Sequence, residues 1–289
     1  MKLIIISDIN SRAKSIIPYG LRLAKKMNAT VHIVHPVDTR MHQGVVSRVA
    51  DSQSISPGNK LSHYSIIERE INTARNDINN LLSREASVLN YPLKINTHIE
   101  ENSIRQSIQN ILMDHNIEES YLILINALSD NYVFHSQSDL LETAKGLKSC
   151  TLLVPPGEEF HEIKKVLLLT DFEENNLESN NFRSLKPLVD KFDFIVEAVD
   201  VAKPKRLNES KLKIKKWEHM VLNSNLPFNK FKTKIVASND YFWALKEIIK
   251  QSNPDFILPK KQTNGWFNGN INYKLSRKLI EYSHKVLLV

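Results

Sequence analysis

The sequence predicts an α/β protein made of two tandem, doubly wound parallel sheets of five strands each, with helices on both faces. Short apolar runs such as LIII and VLLL alternate with longer amphipathic stretches along the chain, a pattern typical of strands covered by helices on two sides. The order of runs in the first half is repeated in the second half. Connections of helical length between strands favour parallel pairing with right-handed crossovers.

Five strands and four helices are predicted in the first half of the chain. The strands are expected at 2–7, 30–37, 92–99, 121–126 and 150–155, and the helices at about 11–27, 61–89, 102–116 and 137–147. Polar and small residues dominate 38–60, which we interpret as an excursion between the second strand and the second helix. The first apolar run is too short for a signal peptide and is expected to form a buried strand.

The second half repeats this plan after a linker at 154–165, where Pro155 and Pro156 disfavour a continuous helix. We therefore predict an N-terminal domain at 1–155 and a C-terminal domain at 156–289. Asn239 and Asp240 are good N-cap residues for the third helix of the second half. The strands of this half are expected at 164–171, 193–201, 232–238, 254–259 and 285–289.

The composition limits the classes of protein to which this chain can belong. The chain has 289 residues, of which 42% are hydrophobic and 25% charged, as in globular proteins that are not embedded in a membrane. No apolar run approaches the roughly 20 residues that span a bilayer, so no membrane association is expected. Cys150 is the only cysteine, which excludes an internal disulfide and fits a reducing, cytoplasmic compartment.

Positive charge is concentrated in the second half. The formal net charge is +7, and much of the excess lies in KPKRLNESKLKIKK (203–216). The run lacks interleaved aromatic residues and any nucleic-acid module, so we expect no nucleic acid partner. A solvated helix face is favoured, and a surface for an acidic protein partner is the alternative.

Catalytic and metal motifs are missing from the sequence. It contains no HExxH, GxSxG, GxxxxGK[ST] or GxGxxG signature. His32 and His35 are three apart on a predicted strand, where they point to opposite faces and cannot share one metal ion. Cys150 begins a buried strand and is expected to be an inert packing residue. Binding is therefore favoured over catalysis, and no metal is expected.

Several segments resemble the universal stress protein family over nearly the whole chain. They are IIISD and LLLTD at the first strand of each half, VHIVHPVD at the second strand, and the closing segments LETAKGLKSCTLLVPP and LSRKLIEYSHKVLLV. The resemblance implies a Rossmann-like, adenine-nucleotide-binding fold with strand order 3-2-1-4-5. It also implies that the last strands of the two halves pair, so that the tandem chain forms an internal pseudo-dimer.

The family's glycine motif is degenerate in both halves. In nucleotide-binding members a glycine after strand four is followed by two residues, a second glycine, nine residues and Gly-Ser or Gly-Thr, because glycine lets backbone N–H groups reach phosphate oxygens. The first half has no glycine there and offers Asn126 as a polar contact. The second half has Gly265 and Gly269 three residues apart, without a following Gly-Ser. Lys260, Lys261 and Asn270 are its remaining candidates for a ligand. We expect no cofactor, with ATP or another adenine nucleotide in the C-terminal domain as the alternative.

Asp8 and Asp171 end the first strand of each half. In the family this Asp contacts the adenine or ribose side of the ligand, and as plain structure it caps the following helix. The two roles are compatible, so both residues are candidate binding residues.

The sequence thus predicts a cytoplasmic, non-catalytic universal stress protein that does not depend on ATP. One alternative is nucleotide binding with slow hydrolysis in the C-terminal domain, through Asp171, Lys260, Lys261, Gly265 and Gly269. Another is a scaffold that meets an acidic partner through 203–216. A homodimer, a small-molecule ligand and a protein partner are left open.

Overall fold

The structure is a computed structural model that describes residues 1–7, 9, 15–37, 58–101, 104–113, 121–127, 150–172, 188–189, 191–223, 230–259, 278–280 and 282–288. The chain divides into two compact units. Unit 1 comprises Met1–Thr143 and Pro156–Phe160, and unit 2 comprises Ala144–Pro155 and His161–Val289. This division differs from the predicted boundary after residue 155, because the strand at 150–154 is hydrogen-bonded to the final strand of unit 2.

Unit 1 alternates strands and helices as predicted. Its elements are β1 (Lys2–Ile6), α1 (Ile17–Met27), β2 (Thr30–Pro36), α2 (Gly58–Leu89), β3 (Ile95–Glu100), α3 (Ile104–Met113) and β4 (Tyr121–Asn126). The strands are parallel in the order β3-β2-β1-β4. All five residues of β1, KLIII, are buried, as expected of a central strand with helices on both faces.

Unit 2 repeats this arrangement and adds one strand. Its elements are β5 (Cys150–Val154), β6 (Lys165–Leu169), β7 (Ile195–Ala202), a 3₁₀ turn (Pro204–Arg206), α4 (Leu207–Leu222), β8 (Phe231–Ala237), α5 (Tyr241–Ser252), β9 (Phe256–Leu258) and β10 (Val286–Leu288). Residues 278–280 and 282–283 are helical and precede β10.

The strand order of unit 2 confirms the predicted fold class. The parallel order β8-β7-β6-β9-β10 is the expected 3-2-1-4-5. The added strand, β5, pairs with the outer side of β10 in the antiparallel direction, with Leu153 opposite Leu287 and Leu152 opposite Leu288. Both partners are buried, so this pair continues the apolar interior of unit 2.

Helix termini follow local sequence signals. Asp240 is the N-cap of α5, and its side chain accepts a hydrogen bond from the backbone N–H of Trp243 at 3.0 Å, as predicted. Asn28 and Asn253 end α1 and α5 in the left-handed conformation, at φ 52 and φ 42. Asparagine adopts this conformation more readily than most residues, and each turn leads directly into a strand.

Some predicted segments differ from the structure or lie beyond it. α1 begins at Ile17, and residues 15 and 16, which belong to the helix predicted at about 11–27, are not helical. Residues 58–60 belong to α2 and not to the excursion predicted at 38–60, since the helix starts before its first periodic apolar residues. Residues 38–57 and the helix predicted at 137–147 lie outside the described residues.

The basic segment 203–216 forms the 3₁₀ turn and the first part of α4, and most of its side chains are exposed. None of the helices in the described part of the chain has the length and apolar character needed to cross a bilayer.

Candidate functional site

The turn that follows β6 is held by two hydrogen bonds. The backbone N–H of Thr170 donates to the carbonyl oxygen of Val199 in β7 at 3.0 Å. The N–H of Phe172 donates to Thr170 Oγ1, also at 3.0 Å. Between these residues Asp171 remains partly exposed. The turn therefore presents one carboxylate at the carboxyl end of the sheet from a constrained backbone.

Phe172 has an unusual backbone conformation. Its φ is 55, in the left-handed region that costs a non-glycine residue roughly 1–3 kcal/mol. Its side chain is 1% exposed and meets Trp217 of α4 edge to face, with ring centroids 5.3 Å apart. Burial of a phenylalanine side chain contributes about 1.5–3 kcal/mol, which offsets the strain. The ring of Phe172 anchors the turn, and this anchoring orients Asp171.

Two further side chains join Asp171 at this edge. Asp200 lies near the carboxyl end of β7, and Tyr241 is the first residue of α5. Burial is the main cause that raises the pKa of Tyr241 to about 12, and the carboxylates of Asp200 and Asp171 raise it further. We call Asp171, Asp200 and Tyr241 the carboxyl-edge cluster. Its tyrosine hydroxyl is neutral at physiological pH.

The chemistry of the carboxyl-edge cluster is that of a polar binding site. A neutral phenol donates one hydrogen bond, and ionised carboxylates only accept them. Together they complement ligand hydroxyl or amino groups, whereas two carboxylates repel a phosphate. Among the described residues no group of three or more His, Cys, Asp or Glu side chains is placed to hold a metal ion.

Two polar side chains are buried at the corresponding edge of unit 1. Ser7 follows β1, and its N–H donates to Val34 O at 2.8 Å. Asn126 ends β4 at the same edge, and both side chains are 0% exposed. Ser7 Oγ has no hydrogen-bond partner within the described part of the chain. Asn126 therefore ends β4, as predicted from the sequence, and its side chain is buried; its role as a binding residue stays a prediction.

Six of the predicted binding residues lie outside the described residues: Asp8, Lys260, Lys261, Gly265, Gly269 and Asn270. Of the two others, Asp171 joins the carboxyl-edge cluster. Sequence reasoning missed Asp200 and Tyr241, although each stands at an element terminus that points to the same edge. The sequence places VDV near the end of β7 and NDY at the start of α5, which indicates the edge but not that the side chains come together.

A histidine pair in unit 1 was also missed. His32 Nδ1 of β2 and His98 Nε2 of β3 are 3.1 Å apart, and the two rings are stacked at 14°. His35 faces the other side of the sheet and is 2% exposed. Burial lowers the pKa of His35, and Glu70 counteracts this in part. The prediction that His32 and His35 do not share one metal ion is consistent with this geometry.

Comparisons with solved structures identify the fold. The chain is similar to a protein of unknown function from Pseudomonas aeruginosa PAO1, with a TM-score of 0.58, 10% identity and coverage of 100% of this chain and 91% of that chain. It is also similar to a proposed universal stress protein from Pseudomonas aeruginosa UCBPP-PA14, with a TM-score of 0.55, 10% identity and coverage of 100% and 92%. A universal stress protein from Archaeoglobus fulgidus DSM 4304 gives a TM-score of 0.52, 9% identity and coverage of 100% and 95%.

These similarities confirm the resemblance at the level of the fold: the chain has the tandem α/β fold of universal stress proteins. No family model and no curated protein matches its sequence.

Proposed function

We propose that this protein is a cytoplasmic universal stress protein that acts by binding, and that the carboxyl-edge cluster of unit 2 is its binding site. The ligand is a small molecule rich in hydroxyl or amino groups and without phosphate. The observation that supports this proposal is the convergence of Asp171, Asp200 and Tyr241 on one edge of a doubly wound sheet.

The location of the cluster supports binding. In doubly wound sheets ligands bind outside the carboxyl ends of the strands, where the strand order reverses. In unit 2 the order reverses at β6, whose neighbours are β7 and β9, and Asp171 follows β6. The hydrogen bonds of Thr170 and the buried ring of Phe172 position this carboxylate before a ligand arrives. Such preorganisation reduces the free-energy cost of binding.

Thermal unfolding of the full chain with small sets of nucleosides, neutral sugars and diamines tests the proposal. We expect one set to raise the melting temperature by several degrees, because a ligand at 100 times its Kd stabilises the folded state by about 2.7 kcal/mol. Asp171→Asn and Asp200→Asn should each reduce this shift. Asp193→Asn is the matched control, since Asp193 is an exposed carboxylate at the other end of β7 and pairs with Lys230 at 2.9 Å. An equal loss in the control would contradict the proposed site.

A second candidate function is adenine-nucleotide binding in the C-terminal domain. It is favoured by the position of Asp171 at the end of β6, since this is where the resemblance places a contact to adenine or ribose. Adenosine and ATP distinguish the two functions. If the phosphates are recognised, ATP stabilises the protein much more than adenosine does; if the cluster alone binds, ATP does not exceed adenosine.

A third candidate function is a scaffold for an acidic partner at 203–216. This segment carries seven Lys or Arg residues and one acidic residue, Glu209, which pairs with Lys213 at 2.9 Å. Salt should then weaken the binding of the partner to the unmodified chain, and the combined substitution of Lys213, Lys215 and Lys216 by Glu should abolish this binding.

The antiparallel pair of β5 and β10 also supports our proposal that the last strands of the two sequence halves form an internal pseudo-dimer.

A further inference from the structure

A groove in unit 2 lies between α5 and the helical residues that precede β10. Its volume is about 220 Å³. Its walls are formed by Phe242, Trp243, Lys246 and Ile249 of α5 and by Lys278 and Tyr282. Leu245 and Leu279 also line it, and both are 3% exposed. We call this feature the aromatic groove. It shares no residue with the carboxyl-edge cluster or with the basic segment 203–216, but the ring of Phe242 lies 5.8 Å from that of Tyr241, centroid to centroid.

Three aromatic side chains at the aromatic groove are exposed to solvent: Phe242 at 41%, Trp243 at 62% and Tyr282 at 65%. Their exposure does not result from a loose helix. Asp240 caps the start of α5, and Ala244, Leu245 and Ile248 bury its inner face. A firmly held helix that leaves large aromatic residues in water is a characteristic of an interaction surface.

Both charged residues in the described lining of the aromatic groove are lysines. Lys278 Nζ lies 3.6 Å from the centroid of the Phe242 ring, and Lys246 Nζ lies 5.9 Å from the centroid of the Tyr282 ring. These cation–π contacts hold two ammonium groups beside apolar surface. No Asp or Glu is among the described residues that line the groove. An anionic partner is therefore electrostatically complementary to it.

We propose that the aromatic groove docks an acidic segment of a partner protein. One or two large apolar side chains of the segment enter the groove against Leu245 and Leu279. Its carboxylates pair with Lys246 and Lys278 at the rim. An apolar anchor in a concave site, surrounded by polar contacts, is the usual arrangement of a groove that binds a peptide.

The geometry favours a peptide over other anionic partners. A lipid surface is wide and flat, whereas the volume of about 220 Å³ is enclosed by two helical segments and suits a few side chains. Single-stranded nucleic acid needs open ring faces on which bases stack. Of the three exposed rings, those of Phe242 and Tyr282 each have a lysine ammonium group over one face, and a platform of several open rings is therefore not formed. An acidic protein segment complements both parts of the groove, because its large apolar side chains pack against the apolar floor and its carboxylates pair with the lysines of the rim.

Selection from a phage library of random 12-residue peptides on the full chain tests this proposal. The charge-reversed variant Lys246→Glu/Lys278→Glu is used for counter-selection. We expect the enriched peptides to carry net negative charge and at least one large apolar residue. In fluorescence anisotropy, a labelled enriched peptide should bind the charge-reversed variant and Trp243→Ala at least about tenfold more weakly, a difference of about 1.4 kcal/mol.

The matched control is Lys232→Glu/Lys234→Glu, which makes the same change of charge at exposed lysines of β8. It should bind the peptide nearly as well as the unmodified chain, and the melting temperatures of all variants confirm that they fold. The proposal is overturned if the enriched peptides are neutral or basic. It is also overturned if no peptide binds the unmodified chain better than it binds the charge-reversed variant. Tighter binding to phosphatidylserine vesicles or to oligo-dT than to the selected peptides overturns it as well.

Discussion

Tyr241 and Asp171 are electrostatically coupled, although one begins a helix and the other follows a strand. Burial, the carboxylate of Asp200 and the carboxylate of Asp171 together raise the pKa of Tyr241 to about 12. The coupling shows that the carboxyl end of β6 and the start of α5 contribute to one electrostatic environment. It also gives the carboxyl-edge cluster a property that titration can measure.

Removing either carboxylate should lower the pKa of Tyr241. In Asp171→Asn and Asp200→Asn one negative charge that opposes ionisation of the phenol is lost, so tyrosinate forms at lower pH. The measurement is the ultraviolet absorbance of tyrosinate during alkaline titration, with each curve corrected by the same variant carrying Tyr241→Phe. An unchanged midpoint in both variants would show that neither carboxylate acts on Tyr241.

The same shift predicts how alkali affects stability. The folded pKa of about 12 exceeds the ordinary tyrosine pKa of 10.0, so the folded state holds a proton that the unfolded state releases. The stabilisation is complete below pH 10 and is lost as the pH rises towards 12. Tyr241→Phe should therefore show a smaller loss of unfolding free energy over this range, measured by urea denaturation. A loss as steep as that of the unmodified chain would argue against the shift.

Acid should destabilise unit 1 through His35. Burial lowers the folded pKa of His35 below 6.5, so the unfolded state binds the proton more readily. The contribution of neutral His35 is complete above pH 6.5 and is lost as the pH falls towards its folded pKa. We expect His35→Phe to reduce the pH dependence of the unfolding free energy between pH 7 and 5. A pH dependence of His35→Phe that equals that of the unmodified chain contradicts the assignment.

Loss of the Asp240 side chain should destabilise α5. The carboxylate accepts a hydrogen bond from the N–H of Trp243 at 3.0 Å, and replacing such a cap by alanine costs about 0.5–2 kcal/mol. Asp240→Asn should retain most of the stability because its amide oxygen also accepts this bond. Asn239→Ala is the control, since Asn239 is exposed and precedes the cap. The measurement is chemical denaturation, and equal stability of Asp240→Ala and Asn239→Ala would exclude the capping role.

Gly20 in α1 packs directly against β1. A Cβ atom at this position would clash with the buried side chain of Ile5 and would lie 3.3 Å from Leu124 Cδ2. Overpacking costs about 1–3 kcal/mol, which exceeds the gain of up to about 1 kcal/mol from replacing a helical glycine by alanine. Gly20→Ala should therefore lower the unfolding free energy by up to about 2 kcal/mol.

A double-mutant cycle identifies the contact that causes this loss. Ile5→Val removes Cδ1, the atom that a new Cβ would meet first. The double variant Gly20→Ala/Ile5→Val should be less destabilised than the sum of the two single variants. Strict additivity would show that the cost of Gly20→Ala has another origin.

Much of the fold was predictable because it depends on local patterns. The apolar runs at β1 and β6 indicated buried parallel strands, and Asp240 indicated the start of α5. The carboxyl-edge cluster was not predictable, because it depends on strand register and helix placement. The pairing of Leu169 with Val199 sets how far β7 extends beyond β6, and thereby brings Asp200 to the level of Thr170, the residue before Asp171. The single sequence gave no signal for that register, nor for the diagonal contact of His32 with His98.

The strained backbone at the turn after β6 is a second feature that could not be predicted from the sequence. Phenylalanine has no preference for the left-handed conformation, so nothing in the sequence indicated this conformation at Phe172. The conformation results from tertiary packing against Trp217 of α4. Asp171 was singled out for its position at a strand end, but what orients it is a contact between distant parts of unit 2.

Native mass spectrometry of the purified chain tests the central proposal most directly. The comparison includes the unmodified chain, Asp171→Asn/Asp200→Asn and the control Asp193→Asn. We expect the unmodified chain and the control to retain a small molecule that contains no phosphate, and the double variant to lose it. A retained adenine nucleotide, or a ligand held equally by the double variant, would contradict binding at the carboxyl-edge cluster.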